Sequence, residues 1–152
     1  MRLELTRRGD YAIRAMLALA PRSAGAPTAG REIAAEMGIP IGFLPRVMGD
    51  LVTAGLVRST TGRTGGYALA RAPATISLLD VIEAAEGDSR RTTCVLRGGP
   101  CGPDGHCRVH PVFVDAQDAL LERLSGVSLG DIADRPAAAG RIVALAGPAP
   151  RA

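Results

Sequence analysis

Cysteine and histidine lie close together in the second half of the chain, and these are the residues best suited to chemistry. The three cysteines are separated by six and five residues, and a histidine follows after two more; the set is Cys94, Cys101, Cys107 and His110. Thiolates are soft ligands that iron–sulfur clusters and zinc both accept. The spacing therefore predicts a metal centre whose fourth ligand is His110, His106 or a carboxylate from elsewhere.

Two other interpretations of the cysteines compete with a cluster. Three cysteines and one histidine make a closed tetrahedral zinc site, although the two-residue spacing between cysteines that is common in zinc modules is missing. The cysteines could also be free thiols, but all three lie within fourteen positions, which argues against coincidence. Glycine and proline fill the intervals, so few apolar side chains can pack this segment and a metal centre would hold it.

A helix-turn-helix is predicted between residues 28 and 57. Thr28 can cap its first helix, and Gly38 supplies the left-handed residue that ends that helix. The second helix covers about residues 42–54 and stops at Gly55. Its buried face is predicted from apolar residues at helical spacing, namely Leu44, Val47, Met48 and Leu51.

A β-hairpin is predicted directly after these two helices. Residues 56–59 and 67–70 can pair as short strands, because glycines in the intervening TTGRTGG permit a tight reversal. Together they form a winged helix, in which the second helix enters the major groove of DNA and the wing touches the backbone or the minor groove. Four arginines share this location and are the predicted DNA contacts: Arg31, Arg46, Arg58 and Arg63.

The charge distribution supports a polyanionic partner. Residues 1–72 carry ten arginines and five acidic residues, a net charge of +5, whereas residues 73–152 carry eight arginines and ten acidic residues, a net charge of −2. Guanidinium groups match the geometry of phosphates, and neutralising phosphates releases counterions. We therefore expect the first half of the chain to bind double-stranded DNA.

The other elements are predicted to be helical. One helix covers residues 7–20 after a Thr6 cap, and Ser77 with Asp80 opens another that ends at Gly87. A long helix after the cysteine segment carries an apolar face made of Val112, Phe113, Ala116, Leu120 and Leu124. A lone helix would leave this face exposed, so we predict a homodimer.

These elements predict a mainly α fold class, a winged helix-turn-helix with a long dimerisation helix and a cysteine-rich loop. Three regions follow: a DNA-binding domain over residues 1–87, the loop and dimerisation helix over 88–134, and a disordered tail over 135–152.

Several classes of protein are excluded. The longest strongly apolar run, residues 15–20, is far shorter than the roughly 20 residues that span a bilayer, so no membrane partner is expected. No serine–histidine–acid set or nucleotide-binding loop supports catalysis, so the protein is not expected to be an enzyme. An electron carrier would not need a basic helix-turn-helix. Asp10 and Arg14 interrupt any apolar core of a signal peptide, which predicts a cytoplasmic location. In a reducing compartment three close cysteines suit metal ligation better than disulfides.

The chain resembles the IscR and NsrR family of winged-helix, iron–sulfur-dependent transcription regulators over about residues 1–134. The matching features are MRLELTRRGDYAIRAM, the AGLV that ends the helix-turn-helix, the wing RSTTGRTGGYAL, the segment ISLLDVIEAAEG and three cysteines before an amphipathic helix. The resemblance implies a homodimeric regulator, usually a repressor, of a roughly palindromic operator. It assigns Cys94, Cys101 and Cys107 to a 2Fe-2S or 4Fe-4S cluster that senses cluster supply, nitric oxide or redox state. The alternative is a zinc-stabilised or thiol-based regulator without a cluster.

The resemblance leaves the fourth ligand open. IscR-like members use a histidine three residues after the last cysteine, which matches His110, and some NsrR-like members use an aspartate of the other protomer, which matches Asp10. We favour His110. Because Pro111 disfavours a helical backbone at the preceding residue, His110 is expected to cap the long helix. Gly42 and Pro45 replace polar base-reading side chains of IscR, so an operator sequence cannot be transferred.

Overall fold

The computed structural model describes residues 4–22, 26–89 and 108–134. The elements in these ranges, in chain order, are α1 (Arg7–Leu19), α2 (Gly30–Met37), α3 (Leu44–Thr53), β1 (Val57–Thr60), β2 (Gly66–Leu69), a 3-10 helix (Pro73–Thr75), α4 (Leu78–Glu86), α5 (His110–Ser125) and α6 (Leu129–Ala133). The predicted mainly helical, winged fold is confirmed. Three predicted ligands, Cys94, Cys101 and Cys107, lie outside the described residues, as do His106 and the predicted tail over 135–152.

Helix α1 packs against α2, α3 and α4 at the centre of the core. It begins as predicted at Thr6, whose side-chain oxygen accepts a hydrogen bond from the backbone N–H of Gly9 at 3.3 Å. Its inward face consists of buried residues at helical spacing, among them Ala12, Ala15, Met16 and Leu19. Full burial of a Met or Leu side chain stabilises a fold by about 1.5–3 kcal/mol, so this face anchors the first half of the chain.

The predicted cap of α2 is wrong. Ala29 occupies the N-cap position, and no side chain caps the helix. Thr28 instead pairs with Tyr67 as an isolated antiparallel bridge, with backbone hydrogen bonds of 2.8 Å in both directions. Its buried hydroxyl accepts a hydrogen bond from Arg22 at 3.2 Å. Pairing with the wing thus takes precedence over capping. Gly38 ends α2 at φ 63°, as predicted.

Helix α3 has the predicted buried face but begins two residues later than predicted, at Leu44. The preceding residues form a turn in which the N–H of Phe43 donates to the carbonyl of Pro40 at 2.9 Å. Pro45 lies in the first turn of the helix, where a missing donor costs little. Gly55, at φ 70°, follows the C-terminal end as predicted.

The wing is an antiparallel pair in which Val57 faces Leu69 and Thr60 faces Gly66. Each strand lies one residue nearer the turn than predicted. Leu56 is excluded from β1 in part because its N–H donates to the carbonyl of Leu51 at 3.0 Å and so completes the end of α3. Gly66 is required at its position, because a Cβ there would overlap the carbonyl group of Thr28.

Helices α4 and α6 begin side by side with matching capping boxes. Ser77 and Asp80 form the first, as predicted, and Ser128 and Asp131 form the second. An isolated bridge joins the two caps: Leu78 N–H donates to the Val127 carbonyl at 2.9 Å, and Leu129 N–H donates to the Ile76 carbonyl at 2.7 Å. The chain therefore returns to the start of α4 after α5.

Helix α5 buries only one residue within the described chain, Leu121. Most of the apolar face predicted for dimerisation is exposed, with Val112 at 66% and Phe113 at 38% relative exposure. The N-cap is Val109, and His110 is the first helical residue, so the prediction that His110 itself caps the helix is wrong by one position. Pro111 is still tolerated, since it lies in the first turn.

Candidate nucleic-acid interface

The outer face of α3 carries very little hydrogen-bonding capacity apart from Arg46. Arg46 is exposed and lies opposite the buried face of the helix. Gly49 lies on the same side, in open space. The hydroxyl of Thr53 already donates to the carbonyl of Gly49 at 2.9 Å, and Asp50 accepts from Arg8 Nε at 2.6 Å. Arg46 is therefore the side chain of this face best able to read a base.

The wing presents two further predicted contacts. Arg58 lies on β1, whose residues after Val57 are exposed, and its guanidinium is 3.5 Å from the carbonyl oxygen of Leu69. Arg63 lies in the turn between the strands and is exposed. Gly62 at φ 111° allows that turn a backbone conformation which side chains rarely adopt. The hairpin thus carries one arginine along its strand and one near its tip.

Arg31 is exposed in the first turn of α2. Together the described structure places all four predicted arginines on α2, α3 and the wing, within one continuous stretch of the winged helix. No ion pair of Arg31, Arg46, Arg58 or Arg63 occurs among the described residues. Their positive charge is therefore available to phosphates.

Several other arginines in the first half of the chain are engaged in ion pairs. Arg22 pairs with Glu32 at 2.6 Å and also with Glu36. The hydrogen bond to Glu32, followed by the attraction of both carboxylates, raises the pKa of Arg22 despite some desolvation. Arg8 pairs with Asp50 at 2.5 Å and so joins α1 to α3. The charge of these two arginines is already paired with carboxylates, unlike that of the four candidates.

Two exposed apolar residues next to the candidates escaped the sequence analysis. Ile41 and Phe43, in the turn before α3, are 60% and 52% exposed. The ring of Phe43 lies against that of Tyr11, with the centroids 6.0 Å apart. The signal was available in the sequence, because neither residue belongs to the helical apolar pattern that begins at Leu44.

Both candidates for the fourth metal ligand lie on the surface. His110 is exposed at the first position of α5. Asp10 lies in the first turn of α1, where its Oδ1 accepts a hydrogen bond from Arg14 Nε at 2.9 Å. Among residues 4–22, 26–89 and 108–134, no group of three or more Cys, His, Asp and Glu side chains could hold a metal ion. The three predicted thiolates belong to residues between 89 and 108, which lie outside the described ranges.

No helix in the described part of the chain has the length and apolar character needed to cross a membrane.

Comparisons with known proteins identify relatives over most of the chain. A family model described as Rrf2, iron-dependent transcriptional regulator, matches residues 5–135. The HTH-type transcriptional regulator IscR of Escherichia coli O1:K1 / APEC is 33% identical over 130 residues, which cover 86% of this chain and 80% of that protein.

Two solved structures show the same fold. CymR, the global cysteine regulator of B. subtilis, superimposes with a TM-score of 0.75 at 27% identity and covers 87% of this chain and 97% of its own. IscR of T. potens has a TM-score of 0.67 at 28% identity, covering 86% and 85%. The likeness therefore extends across the winged helix and the residues that follow the cysteine segment.

Proposed function

This chain belongs to the Rrf2 family of transcriptional regulators, and from that premise we propose that it is a homodimeric repressor whose operator binding is controlled by an iron–sulfur cluster. The operator would be double-stranded and roughly palindromic. The observation that carries the proposal is the winged helix itself, on which Arg31, Arg46, Arg58 and Arg63 lie exposed and without ion pairs among the described residues.

Helix α5 supports the homodimer. Val112, Phe113 and Val114 are 66%, 38% and 39% exposed, and the described chain offers nothing to cover them. Exposed apolar patches of this kind usually mark a protein interface. A two-fold axis beside α5 would bury this face against its own copy. It would also place two copies of α3, the recognition helix of each protomer, on one DNA duplex, about one helical turn or a multiple of it apart.

The donor set supports the cluster. Three thiolates with a histidine or aspartate nearby are ligands that an iron–sulfur centre accepts, and Cys94, Cys101, Cys107 and His110 provide them within seventeen positions. When bound, such a cluster supplies an iron centre that responds to oxidants, nitric oxide or cluster supply. Asp10 of the partner subunit is the alternative fourth ligand; its Oδ1 accepts a hydrogen bond from Arg14, and its other oxygen could bind a metal.

Described contacts offer a route from the cysteine segment to the recognition helix. Glu86, near the start of the segment, accepts hydrogen bonds from the backbone N–H and the hydroxyl of Thr6 at 2.7 and 2.8 Å. Thr6 caps α1, and α1 is joined to α3 by the ion pair of Arg8 and Asp50. A change in how the segment is held would therefore act on the position of α3 relative to the dimer axis. Coupling of this kind is typically worth about 1–3 kcal/mol.

A thiol-based regulator is the second candidate. The observation that favours it is the structural likeness to CymR, which is described as a global cysteine regulator. In this case the three cysteines would respond to oxidants or thiol ligands with no metal bound. A zinc-stabilised regulator remains a third form of the same DNA-binding function.

One experiment separates these candidates. The full chain is purified without oxygen, its visible absorption and its iron, sulfide and zinc contents are measured, and operators are selected from random DNA with the protein as isolated and after metal removal. If the purified protein contains iron and sulfide, and if its operator affinity changes when the metal is removed, the proposal is supported. Zinc alone, or metal-free protein whose DNA binding changes with oxidation, supports the alternatives. If no DNA sequence is enriched, either with the protein as isolated or after metal removal, the DNA-binding function itself is contradicted.

A further inference from the structure

The N-terminal end of α3 is surrounded by exposed apolar side chains. Ile41, Phe43 and Pro45, here called the apolar tip, are all exposed, and the first two are 60% and 52% accessible. Outside α5 they are the most exposed large apolar side chains of the described residues. Removing these side chains from water is favourable, so their position at this end of the recognition helix indicates a binding surface.

The tip projects because the chain is anchored on both sides of it. Ile39 and Leu44 are buried, at 4% and 2% exposure, while the intervening turn is closed by the hydrogen bond from Phe43 N–H to the carbonyl of Pro40. The ring of Phe43 also rests against Tyr11, at an interplanar angle of 57°. The backbone and one ring of the tip are therefore held in place before any partner binds.

The surroundings of the tip identify the partner. N-terminal residues of a recognition helix approach the base edges of the major groove, and Arg46 begins the polar face directly behind the tip. A Cβ placed on Gly42 or Gly49 would meet no atom within 4 Å, so nothing on this side keeps the helix away from the bases. The apolar group that the major groove presents is the C5-methyl of thymine, which Phe and similar side chains contact.

We propose that the apolar tip reads thymine methyl groups in each half-site, next to a guanine that Arg46 contacts through its O6 and N7 acceptors. The inference rests on the proposed DNA-binding function and adds the base chemistry that the recognition helix selects. Arg46 is the one guanidinium of this face, and Thr53 and Asp50 already bond within the chain, so methyl recognition is the main additional readout left to the helix.

The test replaces thymines one at a time by deoxyuridine in an operator enriched from random DNA. Deoxyuridine keeps the base pair and removes only the methyl group. Loss of one buried methyl is expected to weaken binding by about three- to fivefold at one or two positions of each half-site. In Phe43→Ala or Ile41→Ala the ratio of affinities for thymine and deoxyuridine DNA should fall to about one at the corresponding position. This ratio does not depend on the active fraction of each preparation.

Arg63→Ala is the matched control, because removing a side chain that only neutralises phosphate should weaken binding to both DNAs equally and preserve the ratio. Equal affinity of the wild-type protein for thymine and deoxyuridine DNA at every position would overturn the inference. Variants of Ile41 or Phe43 that keep the full ratio would also overturn it and assign the tip to the fold. Variants that change the mass of the dimer in sedimentation would overturn it and assign the tip to contact with a second copy. If no sequence is enriched at all, the proposed function fails and the inference falls with it.

Discussion

Replacing Gly9 by alanine tests the contact between α1 and the end of α4. A methyl group on Gly9 would overlap the carboxylate of Glu86. That carboxylate holds the start of α1 through two hydrogen bonds from Thr6, at 2.7 and 2.8 Å. Because the carboxylate is the far end of a flexible side chain, we expect Gly9→Ala to displace the side chain of Glu86 and to break both hydrogen bonds while the backbone stays in place.

Two opposing effects set the stability of Gly9→Ala. Alanine is favoured over glycine inside a helix by up to about 1 kcal/mol. Hydrogen bonds to a charged acceptor contribute about 1.5–3 kcal/mol, but Thr6 and Glu86 are exposed, so solvent screening reduces their interaction to about 1 kcal/mol. The two effects nearly cancel in the wild-type protein. In a Glu86→Ala background the carboxylate is gone, and Gly9→Ala should stabilise the fold by about 0.5–1 kcal/mol.

Thermal unfolding followed by circular dichroism at one fixed protein concentration measures this difference. A change of 1 kcal/mol shifts the Tm of a chain of this size by about 2–4 °C, so Gly9→Ala should raise the Tm of the Glu86→Ala protein by about that amount and leave the wild-type value nearly unchanged. Gly49→Ala is the control, because its Cβ would meet no atom within 4 Å and it should stabilise both backgrounds equally. An identical effect of Gly9→Ala in both backgrounds would refute the contact.

Four further predictions concern function and assembly. Arg63→Ala should weaken binding to all DNA sequences alike and reduce the magnitude of the salt slope by about 0.9 for each phosphate that Arg63 neutralises; an unchanged slope in salt titrations would remove Arg63 from the interface. Cys101→Ala should abolish the visible absorption of the cluster and change operator affinity about 5- to 150-fold while the dimer persists; equal affinities of cluster-loaded and cluster-free protein would make the cluster structural. Of His110→Ala and Asp10→Ala, only the variant that removes the true fourth ligand should alter the cluster's spectrum. Phe113→Asp should give a monomer in sedimentation, because it places a charge in an apolar interface, and an unchanged dimer mass would locate that interface elsewhere.

Local patterns were sufficient to predict elements whose determinants are close together in sequence. The buried face of α3 and the capping box of Ser77 and Asp80 depend on residues three or four positions apart, and both are confirmed. Gly38 and Gly55 end their helices for an equally local reason, since each adopts a positive φ.

Errors arose where distant residues compete for the same backbone group. Thr28 has the side chain of a helix cap, but its backbone pairs with Tyr67, which lies 39 positions further along the chain. The first strand begins one residue later than predicted, at a point where Leu56 donates its N–H to the end of α3. Ile41 and Phe43 lie outside the apolar pattern that begins at Leu44, which indicates that they are not part of the buried face of α3, but how far they are exposed depends on the packing of Ile39 and Leu44 against distant residues.

The bridge between the caps of α4 and α6 has a consequence for how the chain can change in evolution. Val127 and Leu129 form backbone hydrogen bonds with Leu78 and Ile76. The chain between α4 and α6 is therefore a long loop whose two ends are held together by these bonds. The entropy of closing such a loop grows only with the logarithm of its length, so doubling it costs about 0.6 kcal/mol. Insertions, deletions or substitutions within this loop can therefore accumulate at little cost to the helices that precede it.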